Sequence, residues 1–289
     1  FNNEHGINSQ TFLYPASGSS GGEILSLANQ GAAFMNYTAH GYEQGWADPS
    51  FDVNNANNMT NNGKYPTMIG NCCLTNAFDT GTCFGEALLR KSNGGAIGYI
   101  GGSDVTYWNE DYWWGVGSGS ITSNPSYNNT GPGTYDGIFH DNGEDYWAVV
   151  NSAIIFLGNM AVVEANGMDD YYWEIYHLMG DPSLSTYLGM PYENDVSYAP
   201  FINIAVDEVT VYAPQYSYVG ISKDGILHGA GVVGESGELT LTIDPFYDNG
   251  EADIVITNQN YIPHIGTLTI GSTDGAYLVM DDYELSGTD

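Results

Sequence analysis

Asn36-Tyr37-Thr38-Ala39-His40-Gly41 and Met68-Ile69-Gly70-Asn71-Cys72-Cys73 decide the fold of this chain. Each is an apolar run that stops at a residue able to do proton or nucleophile chemistry, a histidine in the first and a cysteine pair in the second. The runs that lead in, 31–37 and 65–69, are short and bounded by turn residues. They read as buried strands of a parallel sheet. Ligands and chemistry collect outside the carboxyl ends of such strands, and His40 and Cys73 stand just past those ends. If the two strands are neighbours, imidazole and thiol face each other across the crevice, as a Cys/His base and nucleophile pair requires.

Working outward, 23–29 carries apolar residues at helical spacing and ends at Gly31, which suits a C-cap. Residues 83–91 read as a helix whose basic last turn complements its dipole. Residues 96–100 read as the next parallel strand. Helix, strand, nucleophile, helix, strand is a doubly wound α/β plan. The stretch 41–52 reads as a loop over the site with Trp46 as a wall, and 54–62 as either loop or short helix. From 103 to 143 runs a long segment dense in Trp, Tyr, Gly and Asn with little periodicity; loops of that length in a compact domain are usually functional. Residues 144–164 and 171–179 read as helices.

Past Met190-Pro191 the pattern changes. Alternating or β-branched runs at 202–206, 209–212, 218–222, 239–243, 253–257 and 268–270 are separated by turn signals such as Lys223-Asp224-Gly225. Short strands with regularly spaced turns predict a β-sandwich. The division is therefore 1–190 for the α/β domain, 191–271 for the sandwich and 272–289 for an acidic linker or tail.

With 35 Asp and Glu against 4 Lys and Arg, the formal net charge of −31 excludes a general nucleic-acid grip and disfavours anionic membrane surfaces. It suits a saline exterior, or a protease that cuts after basic residues and keeps few of its own. Three cysteines leave at least one thiol unpaired, so this is no disulfide scaffold. No stretch is long enough to cross a bilayer and no signal peptide is present. Phe1 suggests an internal or processed piece of a longer precursor.

An ordinary thiol is only a few per cent ionised at neutral pH, so a nucleophilic cysteine needs a base. His40 would take that proton and later protonate the leaving amine. Gly41 and the Cys73 amide are candidate donors to the oxyanion. Trp108 and Trp113, with Trp46, could flank a substrate side chain, flattening on the stem of an arginine or lysine, or could simply pack the loop. Asp104, Glu110 and Asp111 could meet a cationic head or hold calcium, with Asp169 and Asp170 in the same pool. His5, His140, His177, His228 and His264 show no metal-ligand spacing.

This set resembles the gingipain family of cysteine endopeptidases, within the caspase-like group. The resemblance is carried by 37–41, 46–49, 70–73, 83–87, 99–103, 107–108 with 110–113, and Gly180-Asp181-Pro182-Ser183, in the family's order, with 73 − 40 = 33 residues between the reactive pair. It implies a caspase-like α/β domain, mostly parallel sheet with flanking helices, followed by an all-β immunoglobulin-like sandwich. It also implies Cys73, the second of the pair, as nucleophile with His40 as acid and base, structural calcium, a peptide or protein substrate, and a secreted or cell-surface location. Earlier strands of the family's catalytic domain do not appear here, which implies that they were cut away or persist as an N-terminal companion chain, and the fragment is expected to need that partner. The competing reading is a catalytically silent structural or adhesive surface protein that retains the peptidase fold.

Overall fold

The computed structural model describes residues 8–131, 133–139, 149–187 and 191–272. The chain divides into two compact units, Phe1–Gly189 and Met190–Asp289. Among the described residues, no helix is long and apolar enough to cross a membrane.

The first unit opens with α1 (Gly21–Gln30), which buries Ile24 and Ala28 and ends at Gly31, with φ 111° and its N–H on the Leu27 and Ala28 carbonyls. Then come β1 (Phe34–Thr38), β2 (Gly41–Tyr42), β3 (Gly45–Ala47), β4 (Ser50–Asp52), α2 (Val53–Asn57), β5 (Thr67–Asn71), α3 (Phe84–Arg90) and β6 (Gly98–Gly102). Next follow α4 (Trp108–Val116), α5 (Tyr127–Thr130), α6 (Thr134–Ile138), α7 (Asn151–Glu164), α8 (Asp169–Ile175) and β7 (Tyr176–Gly180). The main sheet runs β1-β5-β6-β7. β1, β5 and β6 are parallel, and β7 closes the sheet antiparallel to β6 with Gly101 opposite His177.

Alternation along the central strands splits the core in two. Met68 and Tyr99 face a cluster with Ile24, Phe84 and Leu88 from α1 and α3. Ile69 and Ile100 face the other way, onto Trp114, Ile138, Ile154 and Val162 from α4, α6 and α7. With both faces covered, β5 and β6 are buried at every position, which is why they read as continuous apolar or glycine runs rather than alternating ones.

Three segments differ from the sequence reading, and a fourth takes one of the two readings open to it. The loop expected over 41–52 is a small antiparallel sheet, β2-β3-β4. Its Trp46 is 2% exposed, stacks on Tyr37 at 4.8 Å and packs on Phe51 and Phe84; burial there outweighs any place in a substrate wall. The asparagine-rich stretch starts as α2 because Asp52 and Asn55 form a reciprocal cap. The segment from 103 holds α4, α5 and α6, and Trp113 lies partly buried against the apolar cluster around Trp114 and Val162. The helix expected over 171–179 stops at Ile175, because Tyr176–Gly180 pairs with the edge of β6 and pairing there outweighs local propensity. Of the helix expected over 144–164, residues 151–164 are helical and 144–148 lie outside the described residues. So do His5, His140 and the tail from 273.

The second unit holds β8 (Ser197–Tyr198), β9 (Phe201–Asn203), β10 (Glu208–Tyr212), β11 (Tyr218–Lys223), β12 (Ile226–Val232), β13 (Glu238–Thr242), β14 (Gly250–Thr257) and β15 (His264–Gly271). They form sheets of order β13-β10-β8 and β12-β11-β14-β15-β9. Val209, Val211 and Leu241 of one sheet share a core with Val219, Ile254 and Leu268 of the other. The glycine-rich β12 carries little strand signal of its own. Asp224 and Gly225, at φ 52° and 79°, turn β11 directly onto it, the backbone that two-residue hairpins favour.

Candidate active site

In β1 and β5 the register sets Thr38 opposite Asn71. His40 and Cys73 each follow two residues after that pair, so the sheet delivers both to one rim. Gly41 sits hard against the cysteine pair: a Cβ on it would fall 2.6 Å from Cys72 Sγ and 2.6 Å from the Cys73 carbonyl oxygen. The turn behind His40 is fixed from below, where Tyr37 donates its hydroxyl to the His40 carbonyl at 2.6 Å and the Ala47 N–H donates to the same carbonyl at 3.0 Å. Trp108, at the start of α4, stands edge-on to the His40 ring with centroids 5.3 Å apart. It is 64% exposed.

The two cysteines live in different surroundings. Cys72 is fully buried and its thiol is pushed far up by desolvation, which keeps it protonated and inert. Cys73 is partly exposed, and the Thr106 N–H donates to its sulfur at 3.3 Å. Cys83 is buried at the start of α3, its N–H donating to Glu86. All three thiols are free.

Thr106 also reaches the acid of the site. Its hydroxyl donates to Asp111 Oδ2 at 2.7 Å and Tyr172 donates to Oδ1 at 2.9 Å, while the one Tyr176 hydroxyl proton is shared between Asn71 Oδ1 and, at 3.2 Å, Asp111 Oδ1. Asp111 is 6% exposed. Burial pushes its carboxyl up to about 6, with the three hydroxyl bonds opposing. Asn71, the last residue of β5, donates to the Asp111 carbonyl at 2.8 Å and accepts from the Tyr176 hydroxyl. β5, the turn at Cys73 and Asp111 are thus one hydrogen-bonded unit.

Of the residues considered for calcium, Asp111 already accepts three hydroxyls and keeps about one acceptor site, and the exposed Asp104 accepts from the Val105 N–H. Asp169 and Asp170 open α8. Among the described residues, no group of three or more His, Cys, Asp or Glu side chains is placed to hold a metal ion. The set Asp104, Glu110 and Asp111 does not fit a calcium site. Thr106, Tyr172 and Tyr176 escaped the sequence reading. The two tyrosines are four residues apart but straddle the end of a helix, which helical periodicity does not register.

Gly41→Ala tests how close that approach is. The added methyl forces the 40–41 segment away from Cys73, and displacement of about 1 Å at a reacting pair costs roughly a hundredfold in rate. Turnover should fall by about that factor while circular dichroism is unchanged.

The chain matches the family model of peptidase family C25 over residues 2–187. It is 39% identical over 281 residues to Lys-gingipain of Porphyromonas gingivalis, covering 94% of this chain and 16% of that protein. A solved structure described as a protease superposes with a TM-score of 0.78 at 38% identity, over 89% of this chain and 57% of the other. The Arg-specific cysteine proteinase gingipain R superposes at 0.72 with 20% identity, over 88% and 56%, a likeness of fold. The chain thus spans about a sixth of the curated relative's length and a little over half of each solved chain.

Proposed function

We propose, from the premise that the chain belongs to peptidase family C25, that it carries the reactive part of a cysteine endopeptidase that cuts peptide bonds after basic residues, lysine above all. In this reading His40 takes the Cys73 proton, the thiolate attacks the peptide carbonyl, and His40 returns the proton to the departing amine. The amides of Gly41 and Cys73 hold the oxyanion. The observation that carries the reading is the shared rim of β1 and β5, with Gly41 against the Cys73 carbonyl.

Asp111 supports the preference for a cation. A carboxylate offers about four acceptor sites, and three hydroxyls already occupy three of them here. What is left suits the point charge of an ammonium better than the two-pronged guanidinium. Trp108, exposed beside His40, would cover the aliphatic stem. Steady-state cleavage of matched peptides with lysine, arginine or norleucine before the scissile bond tests this. Lysine should lead, and equal rates for lysine and norleucine would defeat the preference.

The second unit, with two antiparallel-rich sheets around one core, supports an immunoglobulin-like module. β1 is an edge of the main sheet among the described strands, which supports a companion segment beside it. The acidic surface and the relatives together support a location outside the cell. A silent adhesive role is the weaker reading, because the endopeptidase relatives extend over the reactive pair.

A further inference from the structure

Leu74, the residue directly after Cys73, has φ 63°. A leucine occupies that left-handed region only where its surroundings hold it there. The restraints are visible on both sides of it. The Leu74 N–H donates to the Asp104 carbonyl at 3.2 Å, and two residues on the Asn76 N–H donates to the Gly102 carbonyl at 2.9 Å. The Asn76 side chain, 0% exposed, donates Nδ2 to the Gly101 carbonyl at 3.2 Å and to the His177 carbonyl at 3.0 Å. These carbonyls face each other in register across β6 and β7. Because carbonyls only accept, they fix which end of the amide points at the sheet.

The other end of the amide is idle. Asn76 Oδ1 is buried without a hydrogen-bond partner among the described residues, and it presses on Gly85 of α3, where no side chain could fit. An idle buried acceptor is unfavourable, so the value of this asparagine lies in its two donated bonds.

We propose that Asn76 is a positioning residue for Cys73. It straps the turn after β5 to the ends of β6 and β7, and thereby holds Leu74 in the left-handed backbone that aims the thiol at the rim. The proposal rests on the reading of Cys73 as nucleophile.

The test is alkylation of the full chain by iodoacetamide, with the rate at Cys73 read by peptide mass spectrometry. Wild-type Cys73 should react faster than in the urea-unfolded chain, because the fold presents its sulfur at the rim. Asn76→Ala, folded by circular dichroism, should slow Cys73 about tenfold at pH 7. Adding Leu74→Gly should recover about fivefold, because glycine takes the left-handed backbone freely, whereas adding Leu74→Ala should recover little. If Asn76→Ala does not fold, position 74 still decides. Leu74→Val leaves the strap intact but resists the left-handed backbone, and should slow Cys73 about threefold. A folded Asn76→Ala with the wild-type rate would overturn the proposal, as would equal rates for Gly, Leu and Val at 74. A wild-type Cys73 no more reactive than in urea would instead overturn the nucleophile reading, and this proposal with it.

Discussion

Cys73→Ala should lower peptide hydrolysis by about a millionfold in kcat, the scale seen when a covalent nucleophile is deleted. His40→Ala should cost nearly as much, and the double variant little more than either alone, because the two side chains act as one unit. Cys72→Ala is the control. Its thiol is buried, kept protonated by desolvation, and its replacement should change turnover by less than tenfold. Steady-state hydrolysis of one peptide substrate at known protein concentration, set by absorbance, measures all four. A Cys73→Ala protein that still cleaves at the wild-type rate would remove the nucleophile from the scheme.

Asp111→Asn should lower kcat/KM for a lysine substrate about a thousandfold, within the 2–5 kcal/mol range for removing one partner of a buried charge pair. The norleucine substrate should be little affected. The ratio of the two rates isolates Asp111, since whatever acts equally on both substrates divides out. With a carboxyl pushed up to about 6, the wild-type ratio should rise as pH climbs through about 6, and the variant ratio should stay flat.

The stability of the fold should move the opposite way. A carboxyl whose folded value lies above its unfolded one, 3.8 rising to about 6, binds its proton more tightly in the native state. Its contribution is therefore fully present below about pH 4 and lost as pH rises through about 6. Urea unfolding at pH 5 and pH 8 should show that loss in the wild type and not in Asp111→Asn. A ratio independent of pH in the wild type would mean that Asp111 does not meet the substrate's charge.

The sequence announced its central strands because both faces of the sheet are covered, so Met68-Ile69 and Tyr99-Ile100 stand in unbroken apolar or glycine runs. It announced the rim because His40 and Cys73 follow the two strands immediately in chain order. What it concealed was long-range. Trp46 and Trp113 look like site aromatics until the packing of the sheet shows them turned inward. Tyr176 looks helical until β6 claims it as an edge strand. Asp111 looks like one acid among several in its stretch, and only folding brings two hydroxyls from more than sixty residues away onto its Oδ1. Local pattern encodes faces and ends of elements; it does not encode which distant hydroxyl finds which carboxylate.

Trp108 gives the molecule a built-in optical reporter. Its indole stands largely in solvent beside the His40 ring, where emission is red and quenchable by iodide. Any occupant that settles over the His40 ring must displace water from that indole. Occupancy of the cleft can then be followed by light from the unmodified protein, without dye, chromogenic group or bond cleavage.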